Sequence, residues 1–227
     1  MGLIIQIEED KSCWMYPEQR EILKKIFNTP MKDCVYFAGG TCLSVFYLNH
    51  RRSNDIDIFF YKERDLTYYK EMFHSLGLVP KLETTGFCSY MYLDTKVDFV
   101  ADLTSKPERF NYIALDNTTI RIDVPENFIV NKLTTLVSRM EVRDYVDFAL
   151  LFDKYFKVED FDKILAVAKT REGALEDTNI LKEIFTYAYS FIEANFSKLL
   201  LTRAISLNKL FLVYYKLLEY LNQNIPL

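Results

Sequence analysis

The sequence predicts an α/β (α+β) protein in which an N-terminal half of strands and helices is followed by a C-terminal helical half. Short apolar strands alternate with helices up to about residue 124. After Pro125, apolar residues recur three and four positions apart in the long segments, which is the spacing of one helix face. We therefore predict two domains, residues 1–124 and residues 125–227, with no flexible linker between them.

The composition excludes several classes of protein. The chain has 227 residues, of which 50% are apolar and 26% are charged, and its net charge is −4. A chain of this length and composition can bury a substantial core, so we expect a compact globular fold. The mildly negative charge argues against a surface that coats nucleic acid broadly, although it allows a local basic patch.

The cysteines do not have the spacing of a metal site. Cys13, Cys34, Cys42 and Cys88 form no Cys-x-x-Cys pair, and the two histidines do not accompany them. A zinc site is therefore not expected. The sequence shows no secretory signal and no apolar run of about 18 residues, the length that a membrane span needs. We predict a cytoplasmic protein with reduced thiols and no membrane association.

The first predicted elements lie on either side of a glycine pair. Residues 16–28 are predicted as a helix, Val35–Ala38 as a short buried strand, and residues 41–49 as a second helix. Gly39-Gly40 joins the strand to the second helix. Glycines let the backbone approach a ligand closely, and the free N–H groups of a helix start attract phosphate. Taken alone, such a turn is more often structural than functional.

The next predicted strand, Asp55–Tyr61, carries two acids on one face. Because successive side chains alternate along a strand, Asp55 and Asp57 share a face that the intervening apolar residues do not. Two adjacent carboxylates repel each other, and a cation that prefers oxygen ligands, such as Mg²⁺ or Mn²⁺, offsets the repulsion. The alternative is a hydrated strand end without a ligand.

A β-rich stretch after a helix over residues 66–76 supplies a third acid. The strands predicted there are Val79–Thr84, Phe87–Leu93, Lys96–Ala101, Ile113–Leu115 and Thr119–Asp123. Asp98 lies in the otherwise apolar third strand of this set, and it joins the first two acids if this strand neighbours theirs. Three carboxylates holding two metal ions suit in-line attack on a phosphoryl group. Asp102 is a rival to Asp98, on the same face but about 13 Å further along the strand.

The order of these features resembles a known family. Gly39-Gly40-Thr41 and the later run from His50 to Phe59 (His-Arg-Arg-Ser-Asn-Asp-Ile-Asp-Ile-Phe) are similar to motifs of the AbiEii/AbiGii-type toxin nucleotidyltransferases. That family belongs to the polymerase-β-like nucleotidyltransferase superfamily. The resemblance implies a mixed sheet with flanking helices in the N-terminal half. It also implies that Asp55, Asp57 and Asp98 are the catalytic and metal-binding residues, with Mg²⁺ or Mn²⁺ as cofactor.

Two segments of the helical half carry the same resemblance. Asn127–Leu133 and Ser138–Asp147 look like the Lys-Leu helix and the later Arg-Asp-x-x-Asp of this family. Lys132, Thr135 and Arg139 share one helix face, where the two cations would neutralise a triphosphate. The alternative is an ordinary hydrated helix face.

The two acids of the second segment also share a helix face, being three residues apart. Asp144 is equally consistent with a helix N-cap. The resemblance implies that Asp147 is the better functional candidate.

The resemblance further implies a substrate and partners. NMP would pass from an NTP to an acceptor hydroxyl, with tRNA as the acceptor, and an antitoxin protein would neutralise the enzyme in a toxin-antitoxin or abortive-infection system. The residues expected to bind the nucleotide are Gly39, Gly40, Thr41, Arg52, Lys132, Arg139 and Asp147. The alternatives are a non-catalytic NTP-binding module and phosphotransfer to a protein or small-molecule acceptor.

Overall fold

The computed structural model describes residues 7–102 and 109–224, and the chain forms two compact units, Met1–Val124 and Pro125–Leu227. The first unit is built on a seven-stranded mixed sheet, which confirms the predicted fold class. In chain order, the strands are Val35–Ala38 (β1), Asp55–Phe60 (β2), Val79–Glu83 (β3), Phe87–Tyr92 (β4), Thr95–Ala101 (β5), Asn111–Leu115 (β6) and Thr118–Ile122 (β7).

The strand order brings the predicted acids together. The sheet runs β3-β4-β5-β2-β1-β7-β6, so β2 lies at its centre. β1 pairs with β2 in antiparallel register, and β5 pairs with β2 in parallel register. The parallel register places Asp57 opposite Asp98, and Asp55 opposite Lys96. The strand of Asp98 is therefore a direct neighbour of the strand of Asp55 and Asp57.

Three helices accompany the sheet in the described part of the first unit: Pro17–Phe27 (α1), Gly39–Leu43 (α2) and Lys70–Ser75 (α3). α2 continues into a π-helical turn that ends at Leu48. Together, the two segments correspond to the helix predicted over residues 41–49. After α3, Gly77 has φ +82°, the left-handed conformation that glycine favours just past a helix end.

One face of the sheet forms the core of the first unit. Ile56 and Ile58 of β2 are fully buried, and Phe73 of α3 stacks on Phe99 of β5 with ring centroids 4.0 Å apart. The residues that alternate with these isoleucines in β2 are only half-buried. The alternation predicted from the sequence therefore holds, and the acids lie on the face opposite this core.

The second unit is built from helices. They are Pro125–Ser138 (α4), Val142–Tyr155 (α5), Phe161–Lys169 (α6), Thr178–Asn195 (α7) and Leu207–Asn224 (α8). Aromatic rings fill its core: Phe148, Phe185 and Tyr214 have ring centroids between 5.5 and 6.1 Å apart. In the described part of the chain, no helix combines the length and the hydropathy that crossing a bilayer requires.

Candidate active site

The candidate site is a row of acids formed by Asp55 and Asp57 of β2 and Asp98 of β5, which we call the acid row. The two β2 acids are half-buried, and Asp98 is buried. Since neighbouring strands lie about 4.8 Å apart, the register partners Asp57 and Asp98 are adjacent. The acid row therefore concentrates negative charge and oxygen donors on two rigid, neighbouring strands.

The glycine turn shapes the acid row. Gly39 has φ +69°, and a Cβ built on it would lie 1.8 Å from Oδ2 of Asp57. The carboxylate of Asp57 thus lies directly against the Gly39 backbone, where no side chain fits. The hydroxyl of Thr41 donates to the backbone carbonyl of Asp55 and so fixes the start of β2. Nucleotide binding by Thr41 stays a prediction.

The arginine at the glycine turn is Arg51. A Cβ built on Gly40 would lie 2.7 Å from Nη2 of Arg51 and 3.3 Å from Oγ of Ser53. Arg51 is buried, whereas Arg52 is exposed and donates from Nε to the Ser12 carbonyl at 3.2 Å. The geometry therefore places Arg51, rather than Arg52, against the glycine turn.

A buried glutamine positions the segment that carries Arg51. Gln19 of α1 donates from Nε2 to the carbonyl of Ser53 at 2.8 Å. Its Oε1 accepts from the backbone N–H groups of Met15 and Tyr16, at 2.7 and 3.2 Å. Sequence reasoning missed this residue because a single glutamine in a helix forms no recognisable motif.

Lys96 brings positive charge to the acid row. Its Nζ lies 2.5 Å from Oδ2 of Asp98, while Ser89 donates to Oδ1 of Asp98 at 2.6 Å. Burial lowers the pKa of Lys96, but its hydrogen bond to Asp98 and the charges of the three acids outweigh that effect and leave the pKa raised. Lys96 is therefore protonated at neutral pH and offsets part of the repulsion among the carboxylates.

The donor chemistry of the acid row fits a divalent cation, although its side chains are not gathered around one point. Carboxylate oxygens are the ligands that Mg²⁺ and Mn²⁺ prefer. Across residues 7–102 and 109–224, no group of three acidic, histidine or cysteine side chains stands ready to hold a metal ion. Both oxygens of Asp98 are engaged, by Lys96 and by Ser89. Asp55, Asp57 and Asp98 are the residues that would hold such a cation.

Replacing Lys96 by Met is expected to tighten divalent-cation binding about tenfold, which corresponds to about 1.4 kcal/mol. The substitution removes the ammonium that competes for Asp98. Titration with Mn²⁺, followed by electron paramagnetic resonance, measures the dissociation constant. Lys70→Met is the matched control, because Lys70 pairs with Glu83 rather than with an acid of the row. Equal or weaker Mn²⁺ binding by Lys96→Met would mean that Lys96 does not compete with the metal.

Asp102, the rival third acid, lies outside the acid row. Its backbone N–H donates to the carbonyl of Phe60 at the end of β2, at 2.8 Å. The hydroxyl of Tyr36 donates to its Oδ2 at 2.5 Å. Four residues along a strand span about 13 Å, so Asp102 is well separated from Asp98. Asp98 is the acid that the register aligns with Asp57.

The helical unit contains a buried cluster of charges. Nζ of Lys132, on α4, lies 2.8 Å from Oδ1 of Asp144 and 2.7 Å from Oδ2 of Asp147, both on α5. Nε of Arg139 pairs with Oδ2 of Asp144 at 2.8 Å. Lys132 is buried, and both acids are fully buried. Burial raises the pKa of the Asp144 carboxyl, and the positive charges of Lys132 and Arg139 lower it by more, so the net pKa is below its ordinary value.

Two interpretations of this segment from the sequence are wrong. The hydrated helix face does not apply to Lys132, because this lysine is buried against two carboxylates. The N-cap role does not apply to Asp144, because the N-cap of α5 is Glu141 and Asp144 lies inside the first turn. Thr135, the third residue of the predicted polar stripe, donates to the carbonyl of Lys132 in its own helix.

Replacing Lys132 by Met is expected to destabilise the protein by about 3–5 kcal/mol, because it leaves two buried carboxylates without their shared cation. The free energy of unfolding in urea measures the effect. Lys169→Met is the control: Lys169 pairs with the exposed Glu176 in the same unit, so its loss should cost less than about 1 kcal/mol. A Lys132→Met protein as stable as the control would contradict the buried cluster.

A family comparison decides to which group of proteins the chain belongs. A sequence model of the family described as "Nucleotidyl transferase AbiEii toxin, Type IV TA system" matches residues 21–206. The chain belongs to the AbiEii family. The match includes the glycine turn, the acid row and the buried cluster of the helical unit. It confirms the family that the motifs predicted.

Solved structures with a similar fold include a nucleotidyltransferase toxin. JHP933 from Helicobacter pylori is 20% identical, with a TM-score of 0.54 over 90% of each chain. The toxin MenT4 from Mycobacterium tuberculosis H37Rv, a nucleotidyltransferase, is 12% identical, with a TM-score of 0.54 over 92% of this chain and 83% of its own. The antibiotic-resistance factor ANT(2'')-Ia is 16% identical, with a TM-score of 0.54 over 71% of this chain and 97% of its own. At these identities the likeness concerns the fold alone.

Membership in the AbiEii family makes the chain a nucleotidyltransferase of the toxin-antitoxin type. Nucleotidyltransferases generally use a divalent metal ion. The toxins of this family have an antitoxin as their partner. In sequence, the chain matches none of the curated proteins. The substrate and the acceptor of this AbiEii-family member must therefore be inferred from its site.

Proposed function

We propose that this AbiEii-family chain transfers NMP from an NTP to an acceptor hydroxyl, with Mg²⁺ held at the acid row. The observation that carries the proposal is the register that places Asp57 opposite Asp98, next to the Gly39 turn. Metal-assisted phosphoryl chemistry needs carboxylates on rigid elements beside a backbone that phosphates can approach. The first unit supplies both on three adjacent strands, β1, β2 and β5.

The glycine turn and Arg51 support a site for the triphosphate. Glycines let a ligand approach the backbone closely, and the N–H groups at the start of a helix attract anions. The guanidinium of Arg51 lies against Gly40, and a guanidinium binds phosphate oxygens in pairs. We therefore assign triphosphate binding to Gly39, Gly40 and Arg51. Nucleotide contacts by Arg52, Lys132, Arg139 and Asp147 remain predictions.

The acid row supports a division of roles among its residues. A bound divalent cation would activate the attacking hydroxyl and stabilise the charge that develops on the α-phosphate. Asp55 and Asp57 would hold the cation. Asp98 would assist removal of the proton from the acceptor hydroxyl, with Ser89 orienting its carboxylate. The hydroxyl oxygen then bonds to the α-phosphorus, and pyrophosphate leaves.

The toxin-antitoxin family supports an antitoxin as partner, and the RNA acceptor is our own proposal. We propose that tRNA provides the acceptor hydroxyl, that the chain acts as a cytoplasmic toxin, and that an antitoxin encoded with it limits its effect. The net charge of −4 means that recognition of RNA would depend on a local surface rather than on overall charge.

Nucleotides labelled at different phosphates separate the proposed reaction from its alternatives. Purified protein is incubated with total tRNA, with protein and with small-molecule acceptors, using α-³²P-NTP or γ-³²P-NTP. Nucleotidyl transfer places the α-label on the acceptor and releases the γ-label as pyrophosphate. Labelling of an acceptor by γ-³²P alone would instead establish phosphotransfer. Mg²⁺-dependent NTP binding with neither label transferred would establish a non-catalytic module.

A further inference from the structure

Four side chains on the acid-row face of the sheet form a patch that the proposed chemistry does not use. Cζ of Arg121, on β7, lies 5.1 Å from the ring centroid of Tyr61, 5.0 Å from that of Phe110 and 5.6 Å from that of Tyr112. Nη1 of Arg121 also donates to the hydroxyl of Tyr61 at 2.7 Å. We call Tyr61, Phe110, Tyr112 and Arg121 the stacking patch.

The strand register places the stacking patch beside the acid row. Phe37 of β1 is the partner of Ile122 of β7, so Tyr36 lies next to Arg121. Tyr36 is also the partner of Phe59, two residues from Asp57 on the same face of β2. With strands about 4.8 Å apart and about 6.7 Å per two residues, the Cα atoms of Arg121 and Asp57 are about 12 Å apart. A nucleotide that reacts at the acid row can reach the patch.

The patch offers an aromatic surface and a positive charge. Tyr112 is 61% exposed, and Tyr61, Phe110 and Arg121 are partly exposed. Among the described residues, Arg121 has no carboxylate partner, and its Nε is buried without a hydrogen-bond acceptor. A guanidinium held on aromatic faces attracts a ligand that combines a flat ring with negative charge.

We propose that the stacking patch binds a nucleobase and its neighbouring phosphate, in a nucleotide whose reacting end lies at the acid row. Aromatic side chains stack on every base, and an arginine among them adds both stacking and charge. The base belongs either to the incoming NTP or to the unpaired end of an RNA acceptor, and the chemistry is the same for both. The proposal rests on the proposed function only in taking the acid row as the place of reaction.

Part of the patch also supports the fold, which decides the choice of variants. Phe110 packs on Tyr36 and Tyr61, with ring centroids 5.1 and 5.0 Å apart, so its removal would disturb the sheet. Tyr112 is mostly exposed, so its truncation leaves no cavity. Arg121→Lys keeps the charge but loses the planar group that stacks. Tyr112→Ala and Arg121→Lys are therefore the informative variants.

Fluorescence anisotropy with two probes tests the proposal: a labelled ATP without acceptor, and a labelled single-stranded RNA of about ten nucleotides. Tyr112→Ala and Arg121→Lys are each expected to weaken binding of at least one probe about tenfold, with thermal unfolding unchanged. Tyr68→Ala, at an exposed tyrosine outside the patch, is the control and should bind like the wild type.

The pattern of losses identifies the source of the base. Weaker binding of ATP alone assigns the patch to the incoming NTP, and weaker binding of RNA alone assigns it to the acceptor. Wild-type affinity for both probes in both variants overturns the proposal, as does a wild-type protein that binds neither. If the wild type transfers no label yet the variants bind less tightly, the patch stands and the proposed reaction fails.

Discussion

An Asp57→Asn protein is expected to transfer nucleotide at least about 1000-fold more slowly than the wild type, which corresponds to about 4 kcal/mol of transition-state stabilisation. Asn has the shape of Asp but lacks its charge, so the acid row loses the carboxylate that lies between Asp55 and Asp98. Asp57 is half-buried on a central strand, and the neutral amide fits the same space against Gly39. The fold should therefore remain intact. Initial rates of α-label transfer measure the effect.

The matched control for this substitution is Asp94→Asn. Asp94 is an exposed acid in the turn between β4 and β5, so the same chemical change there should leave the rate unchanged. Circular dichroism and thermal unfolding verify that both variants are folded. A folded Asp57→Asn protein with a rate within tenfold of the wild type would remove Asp57 from the catalytic machinery.

A Gly39→Ala substitution is expected to abolish transfer and also to lower stability. A Cβ at this position would lie 1.8 Å from Oδ2 of Asp57, so the carboxylate must move away from the acid row. The left-handed backbone, with φ +69°, adds a cost of about 1–2 kcal/mol for a residue other than glycine. Urea unfolding and initial rates measure the two effects.

Gly86→Ala serves as the control for Gly39→Ala. Nothing lies within 4 Å of a Cβ built on Gly86, and this glycine does not have a positive φ. It should therefore keep the activity and stability of the wild type. If the Gly39→Ala protein also kept the activity and stability of the wild type, the contact between the glycine turn and Asp57 would have no role in function.

The local part of the site was predictable from the sequence because it depends on alternation within one strand. Asp55 and Asp57 share a face for that reason, and the burial pattern of β2 confirms it. The same alternation indicates which arginine lies near the glycine turn. Arg51 lies six positions before Asp57 and Arg52 lies five positions before it, so only Arg51 would share the face of the acids in an extended segment.

The position of Asp98 beside Asp57 was not predictable from the sequence alone, because the two acids come from distant parts of the chain. The pairing of β2 with β5 is parallel and joins segments separated by α3, β3 and β4, so no turn signal fixes it. The contacts of Asp98 with Lys96 and Ser89 are more local, because Lys96 lies on β5 itself and Ser89 faces Asp98 across the antiparallel pair of β4 and β5.

The buried cluster of the helical unit shows the same limit. Helical spacing gives the face on which Lys132 lies, but not what packs against that face. The two acids that hold Lys132 lie on the next helix, 12 and 15 residues further along the chain. The local sequence was compatible with an N-cap at Asp144. In the fold, Asp144 is instead buried and forms ion pairs with Lys132 and Arg139.

Incubation of the purified protein with total bacterial tRNA and each α-³²P-labelled NTP in turn, with Mg²⁺ or with EDTA, tests the central claim most directly. We expect label on RNA with Mg²⁺ and none with EDTA, and the NTP that supplies it identifies the base. Label that reaches RNA equally in EDTA would contradict a metal-dependent acid row. No label on RNA from any NTP, by a folded protein in Mg²⁺, would contradict nucleotidyl transfer to tRNA.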